Sequence, residues 1–108
     1  MIEVIYISIK ITCILNNIYS NIKYHILIKD NYTTIIDKYI NNKEAINIEL
    51  QKNKLYSLNI TPSIQVYPYY INDIINTNKD TKEIIYNFGA VKQNKSPSII
   101  LKILDKNY

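Results

Sequence analysis

The amino-acid sequence predicts an all-β fold. The expected form is a single antiparallel β-sandwich, immunoglobulin-like or jelly-roll-like, with seven to eight strands and at most one short helix. It would span residues 1–108 as one domain. Three observations carry this expectation. Bulky apolar residues recur at every second position in one segment after another, the spacing that lines one face of a strand. Ile and Tyr suit a pleated, half-buried surface and number 25 and 11, whereas Ala, the best helix former, occurs only at Ala45 and Ala90. Turn residues punctuate the chain at the spacing of a sandwich, and no strand–helix–strand repeat points to a parallel sheet.

Residues 5–13 alternate throughout. Ile5, Ile7, Ile9, Ile11 and Cys13 share one face, and Tyr6, Ser8, Lys10 and Thr12 share the other. This run predicts the first strand. Asn16-Asn17 marks a turn. Ile22, Tyr24, Ile26 and Ile28 then alternate with Lys23, His25, Leu27 and Lys29, which predicts the second strand. Asp30-Asn31 predicts a hairpin turn, because both residue types tolerate positive φ. In residues 32–40, Ile35, Ile36, Tyr39 and Ile40 fit a short helix capped by Thr33 or Thr34. Thr, Ile and Tyr are poor choices for a short lone helix, so a strand is expected there.

A loop follows at 41–44. Ile46, Ile48 and Leu50 alternate with Asn47 and Glu49, and after the polar turn 51–54, Tyr56, Leu58 and Ile60 alternate with Ser57, Asn59 and Thr61. Pro62 closes this run, and the two runs predict a hairpin. Ile64 and Val66 open another strand, which Pro68 ends or confines to an edge. Ile71, Ile74 and Ile75 fit one helical turn within a polar region that reaches Thr81. Residues 83–91 predict a strand with Gly89, the only glycine, at a bulge. Ile99, Leu101 and Ile103 line one face of a last strand and Ile100 and Leu104 the other, the pattern of a strand covered on both sides.

The stretch Ile46-x-Ile48-x-Leu50, followed by Tyr56-x-Leu58-x-Ile60-x-Pro62, resembles a hairpin common in bacterial and phage immunoglobulin-like and transthyretin-like sandwiches. The resemblance covers under a fifth of the chain and implies an architecture rather than one family.

Composition narrows the function classes. The abundance of Ile, Asn, Lys and Tyr, all with AT-rich codons, predicts an AT-rich genome such as that of a low-GC bacterium, a phage or a large DNA virus. No apolar run is long enough for a membrane-spanning helix. Cys13 is the only cysteine, so no intrachain disulfide can form. Glu3 and Lys10 interrupt the N-terminal apolar stretch, which is not a signal-peptide layout. Cytoplasmic synthesis is expected, with residence there or in a virion. A single glycine excludes a phosphate-cradling loop.

The formal charge is +4, and all 13 basic residues are Lys. They are spread along the chain without a dense block, and Arg, the main bidentate reader of bases and phosphates, is absent. Both features argue against a nucleic-acid partner.

Catalysis and metal binding need clustered His, Cys, Asp or Glu. Cys13 falls on the apolar face of the first strand, where a buried core thiol is expected. His25, the only histidine, falls on the outer face of the second strand, so the two are not expected to meet. Asn76-x-Asn78-x-Asp80 has the start of a calcium-loop spacing, but Lys79 sits inside it, no Gly follows, and position 87 is Asn instead of Glu. No cofactor, metal or catalytic residue is therefore expected.

The surface candidate is Tyr67-Pro68-Tyr69-Tyr70. Tyr67, Tyr69 and Tyr70 supply large contact area at low entropic cost, and tyrosine is enriched at interface hot spots. The expected function is that of a non-enzymatic structural or interaction protein. It would be a small subunit of a larger assembly such as a phage or viral particle, as a capsid decoration or a head or tail accessory protein. Its partners would be proteins, a second copy of the chain among them. The alternatives are a free-standing binding module for a glycan or host protein, and a small inhibitor of a host enzyme.

Overall fold

Alternation decides which side of each strand is buried. In β1 (Tyr6–Leu15), Ile9, Ile11, Cys13 and Leu15 are buried, while Ser8 and Lys10 on the other face are exposed and Thr12 and Ile14 half-buried. In β2 (Lys23–Asp30) the buried set is Tyr24, Ile26 and Ile28. In β4 (Ala45–Gln51) it is Ile48 and Leu50, and in β5 (Leu55–Pro62) it is Tyr56, Leu58 and Ile60. β3 (Thr33–Asn41), β6 (Ile71–Asn76) and β7 (Glu83–Phe88) each bury less, with Ile40, Ile75 and Phe88 reaching the core. These assignments come from a computed structural model that describes residues 3–16 and 21–89.

The seven strands form two sheets, β4-β1-β7 and β3-β2-β5-β6, and there is no helix among the described residues. The apolar faces of both sheets build one cluster, in which Ile9, Ile11, Leu15, Tyr24, Ile26, Ile28, Leu58 and Ile60 are essentially sealed from solvent. This is the all-β, sandwich-like arrangement that the alternation predicts, though its sheets do not close on each other. β2 and β3 form the expected hairpin, with Asp30 paired to Thr33 and Asn31 at φ 57°.

The structure corrects five details. β4 and β5 are not a hairpin: β4 pairs with β1 in one sheet, and β5 pairs with β2 and β6 in the other. Either arrangement buries the same side chains, so alternation cannot separate them. Residues 71–76 are a strand, not a helical turn. Ile71 and Ile75 face inward opposite Ile60 and Tyr56, and Ile74 points out to solvent, so pairing with β5 overrides the helical spacing. Residues 64–66 are not a strand, since Ser63 caps the end of β5 through its side chain and main chain to Lys23 and the chain then bends. Gly89 follows β7 directly, and the register shift lies instead in the β2–β3 pair, where Ile35 of β3 is left unpaired opposite the Ile28–Lys29 step. Finally, β1 and β7 run parallel while the other four pairs are antiparallel. β6 ends beside the start of β5, and the chain crosses sheets there, so β7 enters at the end where β1 begins. The last strand expected at 99–103 lies outside the described residues.

Two polar residues hold the corners where the chain changes sheet. Asn42, between β3 and β4, accepts from the Leu15 main-chain N–H at 2.7 Å and the Tyr24 hydroxyl at 2.9 Å, and donates to the Leu15 carbonyl at 3.1 Å. Thr77, fully buried after β6, accepts from the Lys54 N–H at 2.7 Å, and its hydroxyl lies 2.9 Å from the carbonyls of both Gln51 and Lys54. A third polar link joins the edges of the sheets: the Tyr86 hydroxyl of β7 donates to the Asp73 carboxylate of β6 at 2.6 Å.

Candidate interaction surface

The segment between β5 and β6 is anchored on both sides. Val66 and Ile71 pack against the core, and the Tyr67 carbonyl accepts from the Gly89 N–H at 2.8 Å. Gly89 must be glycine for two reasons. Its φ is +124°, and a Cβ there would stand 2.9 Å from the Leu15 side chain. The only glycine of the chain thus sits where the end of β7 turns to meet the tyrosine loop.

From this base the rings project outward. Tyr67, Tyr69 and Tyr70 are 67%, 57% and 58% exposed. Tyr67 and Tyr69 meet edge to face, with centroids 6.1 Å apart. The Tyr67–Pro68 peptide is cis, and Pro68 is half-buried. None of the three hydroxyls has a hydrogen-bond partner among the described residues, so each ring offers both an apolar face and an open polar tip. The three side chains singled out from sequence therefore lie on one loop at one end of the molecule.

The other candidates separate. Cys13 is buried on the inner face of β1, and His25 lies on the outer face of β2, in the opposite sheet. His25 is not merely solvated. Its Nε2 lies 2.6 Å from the Asp37 carboxylate, and its ring stacks on Tyr39 at 4.5 Å and 11°. Simple counting from the Asp30-Asn31 turn would set Lys38 opposite His25; the register shift between Ile28 and Lys29 brings Tyr39 there instead, so the sequence carried no direct signal for this group. The Asn76 side chain is spent locally, accepting from the Asn78 N–H at 2.9 Å. Among the described residues no group of three or more His, Cys, Asp or Glu could hold a metal ion. No described helix is long and apolar enough to cross a membrane.

Burial makes Cys13 unreactive and pH-sensitive in its effect on folding. Its thiol is pushed up from an ordinary value of 9.0 to about 12. Burial also raises the Tyr24 phenol, and burial followed by the bond to Asp73 raises that of Tyr86. Above about pH 9 the unfolded chain releases the Cys13 proton while the folded chain keeps it. Stability is therefore expected to be level below that pH and to fall above it, by up to roughly 1.4 kcal/mol per pH unit. Urea titrations at stepped alkaline pH test this. Cys13→Ala should remove the slope just above pH 9, before the tyrosines add theirs, and an unchanged slope in that variant would refute the assignment.

One feature left no mark in the sequence, the gathering of lysines at the end of the sandwich opposite the tyrosines. Lys54 is neutralised there by an ion pair with Asp30 and lies 5.8 Å from the Tyr56 ring centroid. Lys52, Lys79 and Lys82 line a groove with Asp80 and have no carboxylate within ion-pair distance among the described residues. They come from two turns separated in sequence, which is why the charge reads as diffuse along the chain.

No family model, curated protein or solved structure matches this chain.

Proposed function

We propose that this chain is a non-enzymatic interaction protein that docks through its tyrosine loop as a small subunit of a larger assembly. The observation that supports this is the set of three exposed rings on a segment tied to the core at Val66 and Ile71 and to the end of β7 at Gly89. Rings held in this way lose little conformational entropy when a partner covers them. Their open hydroxyls can bond at the rim of a contact while the ring faces are desolvated.

The partner is a protein, a second copy of this chain among the candidates. An AT-rich composition favours a phage or viral particle as the assembly, with the chain as a capsid decoration or a head or tail accessory protein. In that setting it is made in the cytoplasm and carried in the virion.

Changing Tyr69 and Tyr70 together to Ser tests the proposal. Light scattering after size-exclusion chromatography should show the unmodified protein associated and the double variant dissociated, with the circular-dichroism spectrum unchanged. Association that survives both substitutions in a folded protein would remove the loop as the contact. A monodisperse monomer before and after substitution would overturn the assembly reading in favour of a free-standing binding module.

A further inference from the structure

We infer that the lysine groove at the end opposite the tyrosine loop binds an extended acidic peptide segment, which adds as a short strand to the open half of β1. Two independent features converge there. The first is an unpaired strand edge. Successive residues of a strand direct their N–H and C=O groups to alternate edges. Lys10 donates its N–H to the Lys82 carbonyl at 2.9 Å on the β7 side, whereas the Ile5 carbonyl accepts from Lys52 on the β4 side. The main-chain groups of Tyr6 and Ser8 therefore face the β7 side. β7 pairs with β1 only from Lys10 onward, so no described strand lies beside them.

The second feature is charge. The groove at this end of β1 has a volume of about 280 Å³, and its lining includes Ile7 and Ser8 of β1, Lys52 from the β4 side and Lys79, Asp80 and Lys82 from the β7 side. Three lysines face one aspartate, and Lys54, the remaining cation of these turns, is already paired with Asp30. Main-chain hydrogen bonds to an open edge supply affinity in strand addition, and side-chain pockets supply selectivity. Here the lysines select carboxylates, and Ile7 offers an apolar contact between them. A peptide is favoured over a nucleic acid because no aromatic ring lines the groove to stack a base.

The test uses a fluorescein-labelled hexapeptide of alternating Glu and Val, with binding read by anisotropy at low salt. Expected is saturable binding that Lys79→Glu combined with Lys82→Glu weakens by about tenfold or more, with folding unchanged by circular dichroism. A second peptide, N-methylated at alternate residues, keeps its charge but cannot donate to the edge. It should bind about tenfold more weakly, as expected for the loss of one or two main-chain bonds. Equal binding of the methylated peptide would overturn the proposal, because it would reduce the site to unspecific charge. Tighter binding of oligothymidylate than of the peptide would overturn it in favour of a nucleic-acid groove. Absence of peptide binding would overturn it outright.

Discussion

Replacing Asn42 with Ala is expected to cost about 3 kcal/mol of stability, because three buried or half-buried groups lose their partner at once. The Asn42 amide acts on β1 as a strand neighbour would, bonding both the N–H and the C=O of Leu15. It also satisfies the hydroxyl of Tyr24, whose side chain is fully buried and whose ring meets Phe88 at 5.1 Å. After truncation the Tyr24 hydroxyl stays in the core with nothing to bond. Tyr24→Phe removes only that last link and should cost about 1 kcal/mol. In a double-mutant cycle the two changes should be clearly non-additive, since each deletes the same contact. Thermal unfolding provides the readout, at roughly 4–8 °C per kcal/mol for a domain near this size. A loss below about 0.5 kcal/mol, the usual range for surface substitutions, would show that the corner is held by its main-chain bonds alone.

Thr77→Val is expected to cost about 2–3 kcal/mol while leaving shape and volume nearly unchanged. The substitution leaves the Lys54 N–H without its acceptor and removes the one hydroxyl proton shared between the Gln51 and Lys54 carbonyls, of which the Lys54 carbonyl keeps the Thr77 main-chain N–H. The valine side chain at this fully buried position offers neither a donor nor an acceptor, so the loss falls on the half-buried main chain of Gln51 and Lys54. Thr77→Ser keeps the hydroxyl and should lose only about 1 kcal/mol for the missing methyl group. Equal destabilisation by Val and Ser would assign the role of Thr77 to packing. Because the β4–β5 corner and the basic groove share these turns, the Val variant should also broaden the amide resonances of Lys52 and Lys79.

The strand faces are legible in the alternation of the chain. The odd positions of β1 from Ile9 to Leu15 are buried as their spacing requires, and the β2–β3 hairpin falls at Asp30-Asn31. Tyr67, Tyr69 and Tyr70 stand out because three rings around a proline have no alternating place in a strand. Other features were not legible. The lysine groove joins Lys52 to Lys79 and Lys82 across two turns. The His25–Asp37 contact depends on the hairpin register, which a bulge shifts between Ile28 and Lys29.

What the sequence determined by itself is the two-sidedness of each strand, because side-chain direction follows from local backbone geometry and needs no distant partner. What only the tertiary structure decided is which strand lies beside which. Every backbone presents the same donors and acceptors, so β4 finds an equally good ladder with β1 as it would with β5. The choice is made at the corners, where Asn42 reaches a residue 27 positions away and Thr77 one 26 positions away. No local pattern records such distances.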